Sequence, residues 1–188
     1  MSELMRTFVA VDIDSEQIES ACKEVQRRLM QTEADFKLVD AKSLHFTLGF
    51  IGEIPQELVD QICAGLTRVS FQSFTINIGG VGAFPSPSRI NVVWLGLQKG
   101  QEEMMEISIQ VEALLKELGI PSDPKGFSPH LTLARVRSGK NRDRLVREIK
   151  LLQSYQAGEM MVRAVRLKQS VLTAKGPVYS TICEVAAK

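Results

Sequence analysis

Residues 44–48 read Leu-His-Phe-Thr-Leu and residues 129–133 read Pro-His-Leu-Thr-Leu, and these two stretches hold both histidines of the 188-residue chain. Each contains His–apolar–Thr–apolar. Successive side chains of a strand point to opposite faces, so residues i and i+2 share one. His45 and Thr47 therefore project together, while Leu44, Phe46 and Leu48 turn toward a core. His130 and Thr132 do the same against Leu131 and Leu133. For both histidines to meet this pattern by accident has odds on the order of one in ten thousand. A lone strand histidine is more often a satisfied, partly buried residue. The matched pair reads as one site built from two strands.

Outward from these motifs, strands and helices alternate. Residues 6–13 (RTFVAVDI) are β-branched and aromatic, a strand. Asp14 then reads as an N-cap with Gln17 completing a capping box, and Ile18, Cys22, Val25 and Leu29 follow as one helical stripe. Residues 44–51 form the next strand, Pro55 opens a helix, and Leu58, Ile62, Leu66 and Val69 are its buried side. Residues 74–78 alternate as a half-buried strand. Gly79, Gly80 and Gly82 bend the chain before a proline-rich turn at 84–88. From Arg89 nearly the same order recurs: strand 89–97, then a helix from Glu102 stopped by Gly119 and Pro121. Strand 130–136, a helix capped by Asn141, and strands 165–171 and 178–185 complete the chain. The pattern is α+β, with an internal duplication near residues 85–90. It predicts a single domain of two lobes, approximately 1–88 and 89–188.

A hydrophobic fraction of 44% and a charged fraction of 24% are those of a folded, soluble protein. The net charge of +1 gives no global argument for nucleic acid, so any such argument is local. Cys22, Cys63 and Cys183 are scattered and odd in number, which argues against a disulfide framework or zinc knuckle and for a reducing compartment. No apolar leader or membrane-length run is present, so a cytoplasmic protein is expected.

Two imidazoles facing one site suit phosphodiester chemistry. A histidine titrates near pH 6.5, so a neutral ring can take a proton from a nucleophile while a protonated one donates to the leaving oxygen. Neither step needs a metal, and no further ligand cluster stands at suitable spacing. The hydroxyls of Thr47 and Thr132 can hold non-bridging oxygens. Arg135, Arg137, Lys140, Arg142, Arg144 and Arg147 follow the second motif and can guide an RNA backbone. Strict alternation turns Arg135 away from His130, so a bulge or the strand end must re-aim it for it to reach a phosphate. Phe84, Phe127 and Tyr179 can stack on a base, although packing is the commoner use of such rings. Trp94, inside an apolar strand, is expected in the core.

The two motifs resemble the paired HxTx signature of the 2H phosphoesterase superfamily. RTFVAVDI (6–13), LHFTLGFIGEI (44–54), FPSPSRINVVWLGL (84–97), FSPHLTLARV (127–136) and LKQSVLTAKGPVYS (167–180) are similar to segments of one branch. That branch comprises the RNA 2′,3′-cyclic phosphodiesterases, historically called 2′-5′ RNA ligases. The resemblance implies a bilobed, pseudo-two-fold α+β fold in which two antiparallel sheets flank a central cleft and helices lie outside. It implies metal- and cofactor-independent hydrolysis of RNA or tRNA-fragment 2′,3′-cyclic phosphate ends to 2′-phosphates by a monomer, with reversible 2′-5′ joining. By the same resemblance His45 is the proton donor, His130 the proton acceptor, Thr47 and Thr132 phosphate holders, and Arg135 a substrate contact. Two other readings stand beside it. One keeps the histidine pair and exchanges the substrate for a small cyclic nucleotide or a 2′-5′-linked oligonucleotide. The other makes the chain an RNA-binding module without catalysis.

Overall fold

A computed structural model describes residues 4–86, 89–124, 126–174 and 176–188. Strand β1 (Met5–Asp12) leads into helix α1 (Glu16–Met30), as the apolar pattern requires. The cap is Ser15, not Asp14: the Ser15 hydroxyl accepts from the Ile18 N–H at 3.4 Å. Asp14 is drawn off by the Arg166 guanidinium at 3.0 Å. Two short strands were illegible in the sequence. They are β2 (Phe36–Leu38), with too few residues to show a period, and β7 (Gln156–Val162).

The remaining elements are β3 (His45–Ile54), α2 (Gln56–Leu66), β4 (Phe74–Ser86), β5 (Arg89–Lys99), α3 (Gln101–Glu117), β6 (Leu131–Val136), α4 (Arg142–Leu151), β8 (Ala164–Thr173) and β9 (Gly176–Ala186). Asn141 precedes α4 in the left-handed region at φ 51° and offers its helix no side-chain cap. Its amide donates instead to the Glu33 carbonyl. Strand β4 does not end at its glycines. They absorb a register shift between Gly79 and Val81, with Gly80 at φ 73°, and the strand continues to Ser86. Pro87 and Ser88 of the expected turn lie outside the described residues.

Among the described residues the strands run β7-β4-β5-β6-β3-β1-β8-β9, with β2 beside β6. The order divides evenly at its centre. Four antiparallel strands lie on either side of the β6–β3 junction, and the two groups join through the single pair Phe46–Leu131. Helices α1 and α4 cover the β7–β6 group, while α2 and α3 cover the β3–β9 group. The core lies between sheet and helices, with Phe46, Leu131 and Leu133 fully buried at its centre.

Two expectations fail for the same reason: local pattern carries no information on distant partners. Trp94 is half-buried rather than in the core and pairs across the ladder with Thr132, on that residue's face of the sheet. Its indole lies flat over Gly82, in the space a Cβ there would occupy. Cys63 and Cys183 form a disulfide, because α2 packs on β9 and brings their Cα atoms to 6.0 Å. The cysteine pattern therefore no longer argues for a reducing compartment. Only Cys22 is the buried free thiol expected, its pKa pushed up to about 12 by burial and by Glu19. No helix among the described residues is long and apolar enough to cross a membrane.

Candidate active site

Both motifs lie at the β3–β6 junction. Continuing the antiparallel count one residue either way from Phe46–Leu131 sets His45 across from Thr132 and Thr47 across from His130. The two histidines and two threonines thus share the sheet face opposite the helices, where Leu44, Phe46, Leu131 and Leu133 are buried.

Each motif ends in a β-bulge at its last leucine. On β3, Val9 pairs with Gly49 and Ala10 with Thr47, which leaves Leu48 as the extra residue. On β6, Val93 pairs with Ala134 and Trp94 with Thr132, which leaves Leu133. A bulge inverts the alternation beyond it. Gly49 and Ala134 consequently turn to the helix side, where a Cβ at Gly49 would sit 3.0 Å from Leu115 Cδ1. Phe50 and Arg135 turn to the cleft. This is the re-aiming that Arg135 required.

The bulge on β6 has a dedicated support that sequence reasoning missed. Gln26, buried on α1, donates its side-chain amide to the Leu133 carbonyl at 3.0 Å and to the Val39 carbonyl at 2.6 Å. The available signal was a polar residue within the apolar stripe, four residues after Cys22.

The imidazoles are held alike. Nδ1 of His45 lies 2.8 Å from the Ser43 carbonyl, and Nδ1 of His130 lies 2.7 Å from the Ser128 carbonyl. A carbonyl only accepts, so Nδ1 carries hydrogen in both rings and Nε2 is left to take or give a proton. Aromatic rings brace each one. Phe8 and Tyr179 pack against His45 with centroids at 4.8 and 5.2 Å. Phe84 meets the His130 ring edge-on at 5.0 Å and itself rests on Trp94. Phe84 and Tyr179 are thus histidine supports, and Phe127 lines open space.

That space is a cavity of about 790 Å³ whose wall includes Thr47, Phe50, Phe84, His130, Thr132 and Arg135. It continues to Phe127, Asn91 and the α3 residues Ser108 and Glu112. His45, Phe8 and Tyr179 stand outside this wall. The basic segment after the second motif divides in two. Arg135 joins the site, whereas Arg142, Arg144 and Arg147 line a separate hollow at the start of α4, with Arg144 paired to Glu33.

A family model described as LigT like Phosphoesterase matches this chain twice, over residues 11–94 and 95–179. The chain belongs to the LigT-like phosphoesterases. An RNA 2′,3′-cyclic phosphodiesterase of Archaeoglobus fulgidus is 40% identical over 178 residues, 95% of this chain and 98% of that protein. One of Aeropyrum pernix is 37% identical over 159 residues, 85% and 90% of the two chains. The crystal structure of TT0787 of Thermus thermophilus has a TM-score of 0.82 at 28% identity and covers 97% of each chain. Escherichia coli LigT in apo form has the same fold, with a TM-score of 0.79 at 24% identity over 100% of this chain and 99% of that one.

In this LigT-like phosphoesterase the surroundings of the histidines differ in one respect. Asp12 stands directly across the ladder from His45, whereas the same count on the other side puts Gly96 across from His130. The Asp12 carboxylate is gripped by Lys168 at 2.6 Å and Arg166 at 3.2 Å, and Arg166 also binds Asp14 and Glu184. Burial lowers the pKa of His45. The Ser43 carbonyl and Asp12 oppose that shift, and Lys168 and Arg135 reinforce it. Charged residues on the open face of half-buried strands were the sequence signal for this network.

Proposed function

We propose that the chain hydrolyses RNA 2′,3′-cyclic phosphate ends to 2′-phosphates, with His45 as proton donor and His130 as proton acceptor. The observation that carries this reading is the antiparallel setting of the two motifs. It holds two Nε2 atoms of one chain on a single cleft face, each beside the other motif's threonine. A phosphate lodged between them has a base on one side and an acid on the other, the arrangement an in-line displacement needs. Thr47 and Thr132 hold the non-bridging oxygens, and Arg135 offsets the charge that develops on them. Water loses its proton to His130 and attacks phosphorus, the P–O3′ bond breaks, and O3′ takes the proton from His45.

Asp12 and the Ser43 carbonyl favour the imidazolium of His45 against burial, Lys168 and Arg135, which together lower its pKa. The anionic substrate adds a second negative charge beside a ring that burial alone would keep neutral. RNA ends that carry a 2′,3′-cyclic phosphate are the substrate class supported by the names of the relatives, and tRNA fragments with such ends fall within it. A monomer is enough, because both histidines are the chain's own.

The test is a short RNA ending in a 2′,3′-cyclic phosphate, incubated with the protein in excess EDTA. A 2′-phosphate product is expected. A 3′-phosphate, or loss of turnover in the chelator, would contradict the assignment. The pH profile gives a further check, read as kcat/KM against pH. Asp12→Asn lowers the His45 pKa further, so the limb that requires its proton moves to lower pH. Lys168→Met removes an opposing charge and moves that limb up. Shifts in the reverse directions would assign that limb to another group.

A further inference from the structure

The two parts of the basic segment are joined by further cations. Lys37 stands directly across the ladder from Arg135, and cross-strand partners share a face. Arg137 lies two residues beyond Arg135 and extends the same ladder, its N–H donating to the Asp35 carbonyl at 2.9 Å. Phe36 and Val136, between them in sequence, pack on the core. Lys37, Arg135 and Arg137 therefore present three exposed cations on the cleft face. Exposed Lys140 leads on to the hollow of about 410 Å³ that Arg142, Arg144 and Arg147 line. Residues 33–37 and 135–147 together hold seven cations and three acids in a chain of net charge +1, so the remainder is net negative. Among the described residues no ion pair engages Lys37, Arg135, Arg137, Lys140 or Arg147, whereas Arg27, Arg28, Arg68 and Arg166 each hold a carboxylate.

In an in-line displacement the leaving oxygen departs beside the acid. With the histidine roles given above, the ribose that carries the cyclic phosphate lies on the His45 side. Thr132 stands across from His45, and Arg135 follows it along β6. Arg135 is close enough to act electrostatically on both His45 and Tyr179. From this placement we propose that the cations beyond Arg135 are a track for the RNA backbone on the 5′ side of the reacting ribose. It runs over Lys37 and Arg137 to Lys140 and the arginine hollow. The inference rests on the histidine roles and on RNA as the substrate.

The chemistry of the track suits phosphodiesters. Arg135 and Arg137 are about 6–7 Å apart along the strand, comparable to one nucleotide step of an extended chain. Cations without an aromatic partner hold a backbone and read no sequence, so the track adds affinity with length and no base preference. Of the three acids beside it, Glu33 is already held by Arg144. Asp35, across from Arg137, and Asp143 leave a clear cationic excess.

The experiment measures kcat/KM on a mononucleoside 2′,3′-cyclic phosphate and on single-stranded RNAs of increasing length with the same end, at several salt concentrations. For the wild type kcat/KM rises with length until the track is filled and then levels off. The salt dependence steepens in step, each phosphate held adding about 0.7 to the slope of log kcat/KM against log salt. Arg137→Ala, Lys140→Ala and Arg147→Ala each reduce that slope by about 0.7 on the longest RNA, through KM, and leave the mononucleotide unchanged. Arg68→Ala, at an exposed arginine just after α2, removes the same charge and moves neither substrate. Melting curves verify that all four variants fold. Equal kcat/KM at every length overturns the track alone. So does a slope that Arg68→Ala lowers as much as the track variants do, or a loss on the mononucleotide as large as that on RNA. Absence of turnover on every substrate overturns the histidine reading, and this one with it.

Discussion

Replacing either His45 or His130 with alanine is expected to slow turnover of a 2′,3′-cyclic phosphate by about 10²- to 10⁴-fold, the usual value of one positioned acid or base. Both rings are half-buried on the cleft face rather than part of the core. The variants should therefore fold, which circular dichroism and melting curves would establish first. The double variant should lose much less than the product of the two single losses, because acid and base act in one transition state and are not additive. Arg135 would remain in all three, so phosphate binding should persist with little catalysis. Turnover that survives both single replacements would end the two-histidine mechanism and favour the RNA-binding reading.

Reduction of the Cys63–Cys183 bridge is expected to cost about 5 kcal/mol, since the linked residues lie 120 positions apart and a loop of that length is a large constraint on the unfolded chain. For a chain of this size the melting temperature should fall by on the order of 10–20 °C. Cys63→Ser should reproduce the loss, and reductant should then add nothing. The third cysteine is no substitute partner, because Cys22 is buried and its pKa is pushed up to about 12. The bridge also ties down β9, which carries the Tyr179 ring that braces His45. A melting curve indifferent to reductant would mean that the α2–β9 contact is held by packing alone.

The histidine pair and its threonines were legible because strand alternation is a local rule: a period of two determines which side chains share a face whatever the strand pairs with. The helical stripes of α1 to α4 were legible for the same kind of reason, and most of their apolar residues are buried, although in α2 Val59 is buried where Leu58 was expected to be. Arg135 was legible in part. Parity excluded it from the site unless a bulge or the strand end re-aimed it. The sequence could not reveal that Leu133 is that bulge, because Gln26 of α1 and Val39 hold its carbonyl from outside the strand.

By itself, then, the sequence determined the α+β element order, the repeated His–apolar–Thr–apolar faces and the family they resemble. Tertiary structure alone decided that β3 and β6 meet at Phe46–Leu131, so that each histidine faces the other motif's threonine. It also decided that Phe50 and Arg135 look into the cleft, that Asp12 sits beside His45, and that Cys63 reaches Cys183. Periodicity specifies the face a residue takes. The partner across that face is chosen by packing among segments far apart in the chain, which no local pattern records.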